Sequence, residues 1–360
     1  MANGITAALL GLTHPHAIAH LRTLQALPEV ERILLWDADA TAVEAARQAR
    51  GGKVAGAFTD LDALLGRGDL LFAIVCVPTD ASPDICERAL AAGLHVLAEK
   101  PIGRDAGVVA RVVAAAERAG RRLGVCYQNR YHPVAREARA LVGRGAIGPL
   151  IAVEMRMLTT QVRFRDPEHW LFRRGVAGGG VLSWLGCHDL DLMRYVARDE
   201  IVSVVAEVAT RSGEAIDVED VAVLALRFAS GAVGSLQIAY ALALHGGGYH
   251  NLAGYDTYAS FVGRDGRLYW SNAAPRLHVE SAHPGWAAAP FRELTYRLPE
   301  SPAYGGAHGL AFLRDFMLAC RNGGDPPASG RDALQVARVV DAAYESSRSG
   351  RRVTVAGPAS

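Results

Sequence analysis

Leu71-Phe72-Ala73-Ile74-Val75-Cys76-Val77 is an unbroken apolar run, and it decides the fold. A strand with one face in water alternates apolar and polar side chains. A strand that is apolar at every position must be covered on both faces, the condition of a parallel strand with helices above and below. Working outward, Ile5 to Leu10 reads as a second buried strand, ending at Gly11. The segment carrying Ile18, Leu21 and Leu24 at helical spacing follows, broken around Pro28. Ile33 to Trp36 is a strand ending at Asp37, Ala42 to Arg50 a helix closed by Gly51-Gly52, and Leu61 to Leu65 a short helix. Beyond the central run, Ser82 is the expected N-cap of a helix with Pro83 at its first position and Gly93 at its stop. Leu94 to Ala98 is the next strand, Asp105 to Ala119 the next helix, and Arg122 to Tyr127 the last strand of the series. Strands alternating with helices of this length predict right-handed βαβ units, hence a doubly wound parallel sheet of Rossmann type over residues 1–127.

After Tyr127 the pattern changes. Pro133 to Val142 reads as one helix and Leu150 to Leu158 as a strand. Ile201 to Thr210, Val221 to Phe228 and Val233 to Ala241 then follow as strands, with Ser260 to Val262 and Leu268 to Trp270 after them. Strands in succession predict a large, mostly antiparallel open sheet. A helix from Leu182 to Val196 interrupts them. Two more, Leu310 to Arg321 and Arg331 to Ser347, precede a short strand near Val353. Residues 128–360 therefore form a second, α+β domain, with the C-terminal helices expected to pack back on the first. Gly246-Gly247-Gly248 reads as a turn and not a phosphate loop, since no helix follows it directly.

The 360 residues suit two domains. A net charge of +1 gives no electrostatic case for nucleic acid or a membrane surface. Five cysteines, without C-x-x-C spacing, suit a reducing compartment. The N-terminal apolar run is too short to span a bilayer, so a cytoplasmic protein is expected.

The chemistry concentrates at strand ends. Open parallel sheets bind ligands outside the carboxyl ends of their strands. Glu99-Lys100-Pro101 stands at one such end. Gly11-Leu12-Thr13-His14-Pro15-His16 occupies the first strand-to-helix turn, where a G-x-G-x-x-G fingerprint would bring the backbone close to a pyrophosphate. Only Gly11 matches; Thr13 and His16 take the other two glycine positions. Asp37, at the end of the second strand, suits the ribose hydroxyls of an adenosine and would repel a 2′-phosphate, favouring NAD over NADP. It reads equally well as a solvent-exposed strand-end acid. Val77-Pro78-Thr79 faces the same crevice. His14, His16 and His20 lie close in sequence, but no carboxylate or cysteine joins them at ligand spacing, and no metal is expected.

The chain resembles the Gfo/Idh/MocA family of sugar and cyclitol oxidoreductases. Ala89 to Pro101 is similar to its helix–strand–E-K-P signature, Asn129-Arg130-Tyr131-His132-Pro133 to its next motif, and Gly145-Ala146-Ile147-Gly148 to a following turn. Gly178-Gly179-Gly180 with Gly186-Cys187-His188-Asp189-Leu190-Asp191 resembles the helix carrying its catalytic histidine. The resemblance implies an NAD(P)-dependent oxidoreductase, with Lys100 near the nicotinamide ribose and substrate hydroxyl and His188 as acid/base. It implies a cofactor set of Gly11, Thr13, His14, His16, Asp37, Pro78, Thr79, Glu99, Lys100 and Gln128. It implies a substrate set of Lys100, Asn129, Arg130, Trp170, Arg173, Trp184 and His188, and a homodimer or homotetramer built through the open sheet.

The roles suit the residue types: a histidine titrating near neutrality takes the hydroxyl proton, and a lysine answers the charge developing on the oxygen. Each could instead be structural, His188 satisfied by a carbonyl and Lys100 by a salt bridge. One position departs from the family pattern. Where an aspartate usually stands four residues before the histidine, this chain has Trp184. An indole cannot accept the imidazole proton. It can stack on a sugar ring or the nicotinamide, leaving Asp189 or Asp191 as the histidine's partner. Gln161 to Arg174, with Arg163, Arg165, His169, Trp170, Arg173 and Arg174, reads as a loop over the active site or as a solvated charged loop. Two further functions stay open: a lyase or hydrolase that oxidises a sugar transiently with retained NAD, and a non-catalytic nucleotide- or sugar-binding protein.

Overall fold

A computed structural model of the chain describes residues 4–49, 51–244, 254–271 and 275–357. Arg50 and the Gly246-Gly247-Gly248 turn lie outside them. The chain divides into two compact units. The first takes the chain up to Tyr131 together with Pro299–Leu334; the second takes His132–Leu298 and the chain from Gln335 onward.

In the first unit the elements run β1 (Ile5–Leu10), α1 (Ala17–Ala26), β2 (Val30–Trp36), α2 (Ala40–Gln48), β3 (Val54–Phe58), α3 (Leu61–Leu65), β4 (Leu70–Val75), α4 (Ser82–Ala91), β5 (His95–Ala98), α5 (Ala106–Ala119) and β6 (Leu123–Val125). The six strands form one parallel sheet in the order β3-β2-β1-β4-β5-β6. The central run is β4, and Phe72 to Val75 are fully buried, as covering on both faces requires. The strand order reverses between β1 and β4, the switch point at which such sheets open a crevice. The helices start where short side chains can take their first N–H groups: Asp39, Asp60 and Asp105 each cap one. Ser82 is not a cap. It is the first residue of α4, and its N–H is already taken by the Pro78 carbonyl at 3.0 Å. Strand β3 goes unread in the sequence because only Ala57 of its five residues is buried.

In the second unit the elements are α6 (Pro133–Gly143), β7 (Leu150–Thr160), α7 (Arg174–Ala177), α8 (Cys187–Ala197), β8 (Ile201–Ala209), β9 (Val221–Phe228), β10 (Val233–Leu242), β11 (Tyr255–Gly263), β12 (Gly266–Ser271), β13 (Arg276–Ser281) and β14 (Phe291–Thr295). The helix α9 (Gly306–Asn322) belongs to the first unit, and the division between units falls inside α10 (Gly330–Ser349); β15 (Val353–Thr354) ends the chain. Nine strands form one sheet, β14-β13-β12-β11-β7-β10-β9-β8-β15, antiparallel except for the parallel pair β7 and β10. Strand β9 alternates buried Ala222, Leu224, Leu226 and Phe228 with more exposed partners, the pattern of a sheet with one open face.

Within the first unit, α9 completes the core. Phe316 is fully buried, with its ring edge-to-face on Phe72 at 5.7 Å. A Cβ on Gly124 of β6 would stand 2.8 Å from the Phe316 ring, so the helix approaches that strand as closely as a glycine allows. Among the described residues no helix is long and apolar enough to cross a membrane.

Candidate functional site

The turns after β1, β4, β5 and β6 lie at one edge of the parallel sheet, and they carry the expected cofactor residues. Gly11 leaves β1 with φ +108°, and a Cβ there would meet the Cys76 carbonyl at 2.0 Å. Only glycine lets the first turn lie this close to the end of β4. Asp37 is buried at the end of β2. Its Oδ2 accepts the N–H of Leu12 at 2.6 Å, the N–H of Thr13 at 3.1 Å and the Thr13 hydroxyl at 3.3 Å; its Oδ1 accepts the N–H of Asp39 at 2.9 Å. The alternative of a solvated strand-end acid is therefore wrong: the carboxylate shapes the turn. Thr79 is buried after β4, where the Pro78 carbonyl accepts the N–H groups of Ala81 and Ser82. Gln128, after β6, is also buried, and its Oε1 has no hydrogen-bond partner among the described residues.

Glu99 stands at the centre of this edge. Its own N–H binds the Val75 carbonyl at 2.8 Å, continuing the β4–β5 pairing, and Oε2 accepts the N–H of Lys100 at 3.0 Å. Oε1 lies 2.6 Å from Nε2 of His20 and 3.0 Å from Nδ1 of His16. The Tyr304 hydroxyl is 3.0 Å from the same His16 nitrogen, and Nδ1 of His14 is 3.3 Å from Sγ of Cys76. Burial alone would raise the Glu99 carboxyl. The charges and hydrogen bonds of His16 and His20 together outweigh it and hold the group well below the usual carboxylate range. Burial pushes His14 strongly down, against the attraction of Glu99. Lys100 is 1% exposed, and its peptide with Pro101 is cis.

This cluster corrects one expectation. In sequence no carboxylate or cysteine joins the three histidines; in the fold, Glu99 and Cys126 lie beside His20, with ligand atoms all within 4.8 Å of one another. Arg130 is buried and ion-paired to Asp332 at 2.9 Å, with its guanidinium also donating to the Pro327 carbonyl at 3.1 Å. These bonds tie down the C-terminal segment of its own unit. Asn129 lies beside it in a single 3₁₀ turn, Gln128–Tyr131.

In the second unit the Gly178–Gly180 turn leads into the helix that carries His188. Glu219 organises this entry. Its carbonyl accepts the N–H of Val181 at 3.0 Å, and Oε1 accepts the N–H of Leu182 at 3.1 Å and the Tyr344 hydroxyl at 2.8 Å. A Cβ on Gly180 would stand 1.9 Å from that same carbonyl, which explains a glycine there. Leu182–Gly186 is a π-helical turn, and α8 begins at Cys187. The bonds of a π turn run from i to i+5, so the four-residue spacing between Trp184 and His188 runs from a π turn into an α-helix. Trp184 is buried and packs edge-to-face on Trp170 at 5.6 Å. Trp184 is 3% exposed, while Trp170 stays partly exposed. His188, Asp189 and Asp191 are all buried. Asp191 lies 3.9 Å from Arg194, whose guanidinium also binds both oxygens of Glu200 at 2.7 and 2.8 Å. Burial pushes the Asp189 carboxyl up to about 7, and its Oδ2 has no hydrogen-bond partner among the described residues.

The segment from Gln161 to Arg174 is ordered by its own contacts. Arg165 donates to the hydroxyls of Thr159 at 3.0 Å and Thr160 at 3.2 Å and lies over the Tyr240 ring. Arg173 binds Glu168 and the Ala215 carbonyl. Sequence reasoning missed Tyr304, Glu219 and Tyr344. Tyr304 and Tyr344 carry no local signal, because they reach His16 and Glu219 across 288 and 125 positions; Glu219 reaches Leu182 across 37.

Two sequence profiles match this chain: one described as the oxidoreductase family with an NAD-binding Rossmann fold, over residues 6–127, and the GFO/IDH/MocA C-terminal domain, over residues 135–269. An inositol 2-dehydrogenase of Rhizobium meliloti is 27% identical over 341 residues, 94% of this chain and 95% of that protein. The crystal structure of an oxidoreductase domain protein from Kribbella flavida superposes with a TM-score of 0.87 at 27% identity, covering 98% of this chain and 100% of that one. GenD2 from gentamicin A biosynthesis, crystallised in complex with NAD, superposes with a TM-score of 0.80 at 26% identity, covering 99% and 98%.

Proposed function

Because the chain belongs to the Gfo/Idh/MocA oxidoreductase family and has its NAD-binding Rossmann fold, we propose that it oxidises a secondary alcohol of a sugar, sugar derivative or cyclitol with NAD in preference to NADP. The hydride leaves the carbinol carbon for the nicotinamide, and the hydroxyl proton goes to His188. The ammonium of Lys100 donates to the oxygen as its charge develops, and a ketone and NADH are the products.

The observation that carries this reading is Lys100 itself. It is a fully buried cation at the carboxyl end of β5, beside the switch point of a parallel sheet and backed by the ionised Glu99. The unpartnered Oε1 of Gln128, on the same edge, is an acceptor suited to the carboxamide of a nicotinamide. Asp37 supports NAD over NADP, since its charge lies in the turn that a 2′-phosphorylated ribose would approach. His188 is supported by its helix: Glu219 fixes the entry turn, and the relatives named above include an inositol dehydrogenase. In the second unit the exposed Ile151, Val223 and Val233 lie on the nine-stranded sheet, which supports a homodimer or homotetramer formed through it.

The test is a screen of sugars and cyclitols for NADH formation with wild-type, Lys100→Ala and His188→Ala protein. Turnover of no member of the panel by wild type, with NAD bound normally, would overturn the proposal. One observation keeps a second reading alive: no carboxylate stands at position 184, where the family pattern places one. Sugar elimination or hydrolysis with retained NAD and no added cofactor would favour that reading.

A further inference from the structure

His20 on α1, Glu99 after β5 and Cys126 after β6 come from three separate stretches of the chain, and all three are buried. We propose that Nε2 of His20, a carboxylate oxygen of Glu99 and Sγ of Cys126 form a binding site for one divalent transition-metal ion, with zinc the best match to the donors. One nitrogen, one oxygen and one sulfur suit zinc, whereas magnesium and calcium take oxygen shells.

The geometry is close to what such an ion needs. Zinc holds its ligands at about 2.0–2.3 Å, which puts neighbouring ligand atoms about 3.3–3.8 Å apart. The three atoms already lie within 4.8 Å of one another, and the pair from His20 and Glu99 is at 2.6 Å. Side-chain shifts of about an ångström, that pair opening and the thiol closing, convert the cluster into a tetrahedral corner. Nδ1 of His16, 3.0 Å from Oε1 of Glu99 and also 3.0 Å from the Tyr304 hydroxyl, is occupied by those two groups, so His16 orients the carboxylate from behind and stays outside the shell. A carboxylate and a thiolate together offset the charge of a dication, which matters because Lys100 adds a buried cation nearby.

The competing account is a plain hydrogen-bonded cluster. It uses Glu99 and both histidines and leaves Cys126 as a small buried apolar side chain at the end of β6. A metal uses all of them. The proposed site shares Glu99 with the edge that carries Lys100, but its test needs no turnover.

The experiment is a titration of chelator-treated, reduced protein with cobalt(II), followed by metal analysis after equilibration with zinc and gel filtration. One zinc per chain is expected, with a thiolate-to-cobalt charge-transfer band that Cys126→Ser abolishes and Cys86→Ser leaves intact. The wild-type titration decides even if a variant fails to fold. No charge-transfer band and no zinc retained above background would overturn the proposal, as would a band unchanged in a folded Cys126→Ser protein.

Discussion

Oδ2 of Asp37 lies 2.6 Å from the backbone nitrogen of Leu12, so the acid that ends one strand shapes the turn that ends another. Asp37→Ala leaves the N–H groups of Leu12, Thr13 and Asp39 without their acceptor. The expected loss is about 1–3 kcal/mol of stability, read from a denaturant midpoint. Asp37→Asn keeps an acceptor, loses the charge and should destabilise less. Both variants should lose discrimination between NADH and NADPH in a fluorescence titration; an unchanged ratio of dissociation constants would remove Asp37 from cofactor choice.

Lys100→Ala and His188→Ala should each lower kcat by about 10²- to 10⁴-fold, with the dissociation constant for NADH moving much less. Lys100→Arg should not restore the rate. The site is fully buried, and a guanidinium is larger and planar where a compact ammonium fits. Wild-type turnover in either alanine variant would show that its residue is dispensable.

The two edge-to-face tryptophans should separate cleanly. Trp184 is buried in the π turn, so Trp184→Ala should cost about 3–5 kcal/mol of folding stability. Trp170 is partly exposed, and Trp170→Ala should raise KM for the substrate with a smaller loss of stability. Equal stability losses with no change in KM would show that Trp170 only packs.

Asp189 sets a pH dependence. Its folded carboxyl titrates near 7, against an ordinary 3.8. Between those values the folded chain holds a proton that the unfolded chain releases. Its contribution to stability therefore falls as pH rises from 3.8 and is lowest above 7. Asp189→Asn removes the burial penalty, on the order of 4 kcal/mol at alkaline pH. Melting curves should show the variant gaining on wild type between about pH 5 and pH 8. A constant difference across that range would refute the shift.

Much of the first unit was legible because β4 is apolar at every position and β5 at every position but His95, the pattern that a doubly covered strand requires. Strand β3 escaped because only one of its five residues is buried, and β13 and β14 because they sit at an edge of the open sheet. Asp37, Glu99 and Lys100 could be picked out as strand-end residues, since the end of a parallel strand is visible in sequence. Their partners could not be. His20 meets Glu99 across 79 positions, and Tyr304 meets His16 across 288, distances at which no local pattern carries information. The turn around Trp184 was hidden for a different reason: counting back four residues from His188 assumes α-helical bonding, and Leu182–Gly186 is π-helical.

The packing of Phe316 against Phe72 has a consequence for how the protein is made. The parallel sheet is encoded by the first third of the gene, yet the helix that seals it is translated near the end. While the ribosome works through the nine-stranded sheet, the nascent sheet waits with Phe72 and the cleft at Gly124 uncovered. Only once Leu334 has emerged does that unit hold all its own residues. A nascent chain stalled before α9 would therefore be a natural client for chaperones that bind exposed apolar surface.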